Sequence, residues 1–209
     1  EAWTVGGGNN VLVAVIDTGV DYTHADLGAN VWTNPGEVPG NGLDDDGNGY
    51  TDDVHGIDAY NNDADPFDDH GHGTHVSGTI AGVGNNSIGV VGVCWQARVM
   101  GVKFLSASGS GFTSDAIACI NYAAMMKARV MNNSWGGGGY SVSLYDAIEN
   151  ANQSNALFCA AAGNSSADND AVSHYPSSYT NANVLAVAAS TRADALSGSL
   201  FSKSSACAR

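Results

Sequence analysis

The chain of 209 residues carries a formal net charge of −14, with 21 acidic residues against 7 basic ones. Nucleic acids and anionic membranes are also negative, so this charge disfavours both as partners. Hydrophobic residues make up 44% of the sequence, yet no run reaches the ~20 apolar residues of a membrane span. We therefore expect one ordered globular domain over residues 1–209.

Five apolar runs rich in Val and Ala predict buried parallel strands. They span residues 9–17, 98–105, 128–134, 155–163 and 183–190. Three segments with helical spacing alternate with them. These cover residues 72–82, 113–128 and 141–153. The alternation predicts a doubly wound α/β fold, with a mostly parallel sheet and helices on both faces.

The helix starts and one long connection carry further signals. Thr113 or Ser114 is a plausible N-cap of the middle helix, and serines precede the last one. Residues 35–70 are acidic and rich in turn formers, which indicates an ordered excursion rather than a second domain.

Four cysteines lie far apart and form no CxxC pair, which argues against a zinc site. Cys94, Cys119 and Cys159 fall within apolar runs, where a free thiol behaves as a small buried hydrophobe. A single disulfide among Cys207 and the other three cysteines stays open, because pairing depends on a distance and orientation that the sequence does not give.

Asp17 ends the first apolar run, in the segment VAVIDTGVD. A carboxylate at the end of a strand could accept a hydrogen bond from a histidine and so fix its tautomer. An Asp in this position is as often a turn or helix cap, so the residue is weak evidence alone.

His72 opens the first helical segment between two glycines, in DDHGHGTHVSGTIAG. A general base needs such an uncrowded and pre-set ring. His72 and His75 could instead bind a metal as a pair, but the HExxH spacing and its Glu are absent. We therefore treat His75 as structural.

Asn164 follows the small-residue run LFCAAAG. Its amide could donate a hydrogen bond to an oxyanion that forms only in a transition state. An Asn tolerated in a left-handed turn after Gly163 explains the same residue equally well.

The order Asp, His and AAAGN resembles the subtilisin-like serine peptidases over nearly the whole chain, with DTGVD, HGTHVSGTIAG, NNSWGG and AAAGN as near-literal matches. The resemblance implies Asp17 as the orienting acid, His72 as general base and acid, and Asn164 as oxyanion donor. Subtilisin is itself a standard example of these roles.

The same resemblance implies a groove for an extended polypeptide substrate. The backbone of Ser134, Trp135 and Gly136 would pair with the peptide as an added strand. Ala162 and Gly163 would wall the pocket for the residue before the scissile bond. Trp135 either adds apolar surface to this groove or belongs to the core.

The match breaks after Asn164, because the family's nucleophile sits in a GTSxA segment and no such segment occurs here. The segment SSAC at 204–207 lacks the glycine and the apolar helix. We therefore expect the nucleophilic serine to be absent from this chain, and the chain alone to be inactive.

The segment NGLDDDGNGYTDD resembles the opening of a Ca²⁺ loop, with hard oxygens at alternate positions and a glycine at the turn. The candidate ligands are Asp44, Asp46, Asn48, Asp52 and Asp53. The glutamate of the twelfth loop position is replaced by His55, so Asp52 or Asp53 would have to substitute, and an unliganded acidic turn stays the alternative.

The family resemblance implies a second calcium site. Asp26 and Asn86 match side-chain ligands of the family's tight site, with carbonyl groups near Gly84, Ile88 and Val90. The ligand usually found ahead of the first strand has no counterpart.

We expect a secreted, monomeric serine endopeptidase with a pro-segment outside this chain, as the resemblance implies. The alternative is a pseudoenzyme of the same fold that binds calcium or peptides without turnover. A serine-carboxyl peptidase is disfavoured, because that class would carry a Glu in place of His72.

Overall fold

The computed structural model describes residues 6–165 and 167–190. The strands in these residues are β1 (Leu12–Asp17), β2 (Gly56–Asp58), β3 (Arg98–Lys103), β4 (Val130–Asn133), β5 (Leu157–Ala161) and β6 (Val184–Val187). All of them are parallel, in the order β2-β3-β1-β4-β5-β6. The five predicted strands are confirmed, each shorter than its apolar run.

The helices in the described part of the chain are α1 (His72–Ala81), α2 (Thr113–Met125) and α3 (Val142–Gln153), and Gly28–Asn30 form a 3-10 turn. The capping serine of α3 is confirmed, since Ser141 Oγ accepts a hydrogen bond from Leu144 N at 3.3 Å. The predicted cap of α2 is wrong, because Phe112 holds the N-cap position without a side-chain bond. Ser114 Oγ donates to Asp115 Oδ1 instead.

Alternate residues of β1 serve two separate cores, one on each face of the sheet. Val13 and Val15 pack in the cluster that contains Ala81 of α1. Ala14 and Ile16 pack in the larger cluster, which contains residues of α2 and α3. Helices therefore cover both faces, as the alternating pattern of the sequence predicted.

The acidic excursion contributes the edge strand β2, which the sequence analysis missed. Three residues are too short to show a periodic pattern, and β2 is defined by its register against β3, where Gly56 lies opposite Gly101. A Cβ at Gly56 would lie 1.7 Å from the Gly101 carbonyl oxygen, so the pairing requires glycine there.

The carboxyl ends of parallel strands share one edge of the sheet, which therefore gathers the residues after β1, β3, β4 and β5. After β1 the chain builds β2 and β3 on one side and then crosses to build β4, β5 and β6 on the other. Such a switch point opens a crevice outside the strand ends, where α/β proteins place their sites. Asp17 is the last residue of β1 and lies at this crevice.

The described cysteines are free thiols. Cys119 is fully buried, and this burial raises the pKa of its thiol far above the ordinary value. Cys94 and Cys159 are half-buried, and Cys207 lies outside the described residues. Among the helices of the described residues, none has the length and apolar character to cross a membrane.

Candidate active site

Asp17 and His72 form a hydrogen-bonded pair at the mouth of the crevice. The imidazole Nδ1–H donates to Asp17 Oδ1 at 2.7 Å. The Asp17 side chain is fully buried, whereas 45% of the His72 side chain is exposed. A buried carboxylate therefore orients a ring that stays accessible from solvent, which is the arrangement expected of a general base and its orienting acid.

The Asp17 carboxylate is held in a dry environment. Its Oδ1 also accepts a hydrogen bond from Thr18 N at 2.7 Å, while Oδ2 is buried and has no partner among the described residues. Burial raises the pKa of Asp17 above its ordinary value, and the hydrogen bonds from His72 and Thr18 offset part of that shift. The interaction with His72 thus compensates part of the cost of burying this charge.

Asp68, which the sequence analysis missed, fixes the start of α1. Its Oδ2 accepts hydrogen bonds from Thr74 N at 2.9 Å and Thr74 Oγ1 at 2.6 Å. Its Oδ1 accepts one from Thr18 Oγ1 at 2.9 Å. Burial opposes its ionisation, but the bonds from Thr74, Gly71 and His70 prevail and lower the pKa of Asp68. The acidic residue just ahead of HGHGT was the sequence signal available for this contact at the helix start.

Thr18 and Gly73 join α1 to the end of β1. Gly73 N donates to Thr18 Oγ1 at 2.9 Å. A Cβ at Gly73 would lie only 2.1 Å from the Gly19 carbonyl oxygen and 3.2 Å from the Asp17 Cβ. Glycine after His72 therefore lets the helix approach the strand closely enough for the Asp17–His72 bond.

We expect Gly73→Ala to lower the free energy of unfolding by about 2–3 kcal/mol, because the added methyl overpacks a backbone contact. The matched control is Gly78→Ala in the same helix, where an added Cβ meets nothing within 4 Å. This control should raise stability by about 0.5–1 kcal/mol. Urea unfolding measures both variants, and equal effects would contradict the close packing of α1 on β1.

A cleft of about 610 Å³ extends from His72 between two loop segments. One wall runs from Ser108 to Thr113, and the other runs from Ser134 to Gly138. Ser134, Trp135 and Gly136 therefore line the same cleft as the accessible His72 ring. Gly136, Gly137 and Gly138 are exposed along this wall.

Trp135 belongs to both environments that the sequence left open. Its ring packs edge-on against Phe104, with ring centroids 4.9 Å apart, and both residues line the cleft. Trp135 is half-buried and also packs against the larger core. Its indole therefore forms the cleft wall and anchors that wall to the core.

Ala162, Gly163 and Asn164 follow β5 at the same edge of the sheet. Ala162 is buried, and its carbonyl oxygen accepts a hydrogen bond from Asn169 Nδ2 at 2.9 Å. Gly163 has a φ of 96°, whereas exposed Asn164 is not among the residues with positive φ. The left-handed turn thus uses Gly163, so turn geometry does not account for the Asn.

His174, also missed from sequence, lies between the two segments predicted to bind substrate. A Cβ added at Gly136 would lie 2.2 Å from the His174 ring, and one added at Gly163 would lie 2.8 Å from it. Gly137 N donates to the carbonyl of the adjacent Tyr175 at 3.0 Å. Burial lowers the pKa of His174, which favours its neutral form. Both glycines therefore make room for an imidazole that packs the two segments together.

The acidic excursion gathers Glu37, Asp46 and Asp53, whose ligand oxygens lie within 4.8 Å of one another. Two of these residues were candidate calcium ligands, and Glu37 is an addition. Asp44 and Asp52 instead accept backbone N–H groups, from Gly47 at 2.8 Å and from Gly40 at 2.8 Å.

Hydrogen bonds position this cluster. Asn48 Nδ2 donates to Asp53 Oδ2 at 2.9 Å, and Tyr122 OH donates to the same oxygen at 2.6 Å. Glu37 Oε1 accepts from Asp46 N at 3.3 Å. Asn48 thus presents its amide nitrogen, rather than its oxygen, to the cluster, while its Oδ1 accepts from Tyr50 N at 2.8 Å.

Asp26 and Asn86 are in direct contact. Asn86 Nδ2 donates to Asp26 Oδ1 at 2.6 Å, and Val90 N donates to Asp26 Oδ2 at 2.7 Å. These two bonds, that of Asn86 first, lower the pKa of Asp26. A Cβ at Gly89 would lie 1.9 Å from Asp26 Oδ2, so the loop wraps closely around this carboxylate.

Comparisons with known proteins show which family this chain resembles. A sequence profile described as the subtilase family, Peptidase S8, matches residues 8–209. The Plasmodium berghei (strain Anka) protein "Subtilisin-like protease 1" is 38% identical over 179 residues, which is 85% of this chain and 29% of that protein. The "Thermophilic serine proteinase" of Bacillus sp. (strain AK1) is 36% identical, over 93% of this chain and 42% of that protein.

A solved structure shares the fold. The crystal structure of a cold adapted subtilisin-like serine proteinase superimposes with a TM-score of 0.72 at 35% identity, over 97% of this chain and 62% of that chain. This chain thus spans less than a third of the Plasmodium relative and less than half of the Bacillus one.

Proposed function

Because the chain belongs to the subtilase family, Peptidase S8, we propose that it forms the catalytic core of a serine endopeptidase. The observation that carries the proposal is the 2.7 Å bond between His72 and Asp17 beside an open cleft. In this proposal the protein hydrolyses peptide bonds of polypeptides through an acyl-enzyme.

Each residue of the pair has one task in the proposed reaction. Asp17 keeps the proton of His72 on Nδ1, so that the other ring nitrogen accepts the proton of a serine hydroxyl. His72 then gives this proton to the leaving amine. Among the described residues no serine is hydrogen-bonded to His72, so the proposal assigns the nucleophile to a serine outside them.

Asn164 would stabilise the oxyanion of the tetrahedral intermediate through its side-chain amide. Its exposure at the end of β5, on the edge that carries Asp17, supports this role. Removal of the corresponding donor in subtilisin costs about 10²–10³ in kcat, which sets the expected effect of Asn164→Ala.

Substrate would enter the cleft as an extended strand along the backbone of Ser134–Gly136. The exposed glycines that continue this wall, Gly136–Gly138, support main-chain recognition, which favours broad sequence specificity. Ala162 and Gly163 would wall the pocket for the residue before the scissile bond. The small size of both residues supports this assignment.

Activity is tested on the full-length protein that carries this chain, with a fluorogenic peptide library and intact casein. Endopeptidase cleavage that a serine-directed phosphonate abolishes would support the proposal. A folded protein that binds peptides without cleaving them would favour the pseudoenzyme instead. What favours the pseudoenzyme is that, among the described residues, no serine is hydrogen-bonded to His72.

We also propose that calcium stabilises the acidic excursion through Glu37, Asp46 and Asp53. Three carboxylates converge there, and the ion pairs of the described residues include none of them. A hard divalent cation suits oxygen donors of this kind and would offset their mutual repulsion. Asp26 is proposed for a second ion, together with Asn86 once its amide oxygen turns toward the carboxylate.

Calcium titration by calorimetry tests the three-carboxylate site. We expect Asp46→Asn to reduce the calcium bound by one ion per chain, and to remove the part of the calcium-dependent rise in Tm that this ion supplies. At a free calcium concentration of 100 times Kd, one bound ion raises the free energy of unfolding by about 2.7 kcal/mol. The control is Asp146→Asn, the same charge change on an exposed residue of α3. Unchanged stoichiometry in Asp46→Asn would refute the site.

An extracellular location, a pro-segment and a monomeric state are proposed on family grounds alone. The strongly acidic sequence is compatible with an exported protein that binds calcium. These statements stay predictions, since no contact of the described residues bears on them.

A further inference from the structure

Lys103, at the end of β3, is a buried cation that the proposed reaction does not use. Only 1% of its surface is exposed. Its ammonium group donates hydrogen bonds to the carbonyl oxygens of Thr18 at 2.8 Å and Leu105 at 2.7 Å, and to Asp69 Oδ1 at 2.7 Å. The three protons of a lysine ammonium are thus fully used.

The three acceptors come from three segments that build the candidate active site. Thr18 directly follows Asp17. Asp69 lies three residues before His72, in the turn that leads into α1. Leu105 lines the cleft, and its N–H donates to the Asp17 carbonyl oxygen at 3.2 Å. Lys103 therefore ties together the strand end that carries Asp17, the approach to His72 and one wall of the cleft.

The burial of this ammonium is costly for the fold, because a charge leaves water for a site where its ion-pair partner Asp69 is half-exposed, although the buried carboxylate of Asp58 also interacts electrostatically with it. Among the described residues the ion pair of Lys103 is with Asp69 and not with Asp17. Its influence on Asp17 thus passes through the backbone of Thr18 and Leu105. An apolar side chain could fill the same space but would leave two buried carbonyl groups without donors.

We propose that Lys103 is a positioning residue for the Asp17–His72 pair, acting as a three-way clamp on the loops that hold the two side chains. This inference rests on the proposed role of that pair. Without the clamp the segments before His72 and after Asp17 separate, and the 2.7 Å bond between the two residues lengthens or becomes intermittent.

The direct readout is the strongly downfield proton resonance of the His72 Nδ1–H···Asp17 bond, observed by NMR on the full-length protein. In Lys103→Met, which keeps most of the length of the side chain but has no donor, we expect this resonance to broaden or disappear. In the same protein kcat should fall by about 10²-fold, the size expected for a misplacement near 1 Å, with little change in KM.

The control for general destabilisation is Ile148→Ala, which opens a cavity in α3 within the larger core and is assayed below its unfolding temperature. It should keep both the resonance and kcat. Two substitutions at Asp69 provide a less disruptive test, since 48% of its side chain is exposed. Asp69→Asn keeps an acceptor for the ammonium and should keep the resonance, whereas Asp69→Ala should weaken it.

A sharp, unshifted resonance in folded Lys103→Met would overturn the proposal and leave Lys103 with a structural role alone. If Lys103→Met fails to fold, the Asp69 pair decides, and equal resonances in Asp69→Asn and Asp69→Ala would overturn it. The resonance needs no turnover. Its loss in Lys103→Met would thus support the clamp even in a protein that hydrolyses nothing, so the failure of the proposed function remains distinguishable.

Discussion

Replacement of His72 by alanine is expected to lower kcat of the full-length protein by about 10⁶-fold, the size measured for removal of the triad histidine in subtilisin. The imidazole of His72 is the one that Asp17 orients through the 2.7 Å bond, so its removal takes away the oriented base. The variant should still bind peptide in the cleft, because the wall from Ser134 to Gly138 is unchanged. Single-turnover kinetics with a chromogenic peptide measures the loss.

The matched control for this variant is His75→Ala, in the same helix. His75 is exposed, and its backbone N–H bonds to the Gly71 carbonyl as in any first turn. Its removal should leave kcat within a small factor of the wild-type value. Comparable losses in the two variants would mean that helix disruption, rather than loss of the base, explains the effect.

Asp17→Asn is expected to lower kcat by about 10⁴-fold at neutral pH, the effect of the equivalent change in a serine protease triad. The amide would offer an N–H to His72 Nδ1, so the ring proton would move to the nitrogen that should accept the serine proton. The buried position should accept Asn with little change in shape. The defect should therefore appear in kcat at nearly constant KM.

The measured kcat and KM together decide how Asp17→Asn is interpreted. Asp146→Asn, an exposed change of the same kind in α3, serves as the control and should be silent. If Asp17→Asn retained wild-type kcat, the 2.7 Å contact would be structural and His72 would need another orienting group.

Much of the fold could be predicted because buried parallel strands are nearly continuous apolar runs. The run that ends at Asp17 has a clear boundary, and the glycines around His72 mark a helix start. Three-residue β2 could not be predicted, since its register depends on β3, over 40 residues away.

The residues of the candidate site could be predicted only where a local sequence pattern marks them. Asp17, His72 and Asn164 lie inside segments whose local pattern is informative. Asp68, Lys103, Glu37 and His174 act through contacts with distant segments, such as the bond from Lys103 to Thr18 over 85 positions. Spacing along the chain carries no record of such contacts, so only the folded structure identifies Lys103, Glu37 and His174, whereas Asp68 had a local signal ahead of HGHGT.

In the acidic excursion the local spacing and the folded arrangement differ in part. Alternate acids predicted that Asp44, Asp46 and Asn48 converge on one ion. In the structure Asp44 accepts the backbone N–H groups of its own turn, and Glu37 from an earlier turn meets Asp46 and Asp53. Short acidic side chains satisfy nearby N–H groups readily, which competes with convergence on a shared point.

Reaction with a fluorophosphonate tests most directly whether the Asp17–His72 pair activates a serine. The full-length protein and its His72→Ala variant would be treated with the reagent, digested and mapped by mass spectrometry. We expect rapid labelling of one serine in the wild-type protein and its loss in the variant. A folded, calcium-loaded wild-type protein that stays unlabelled, or labelling that does not depend on His72, would contradict it.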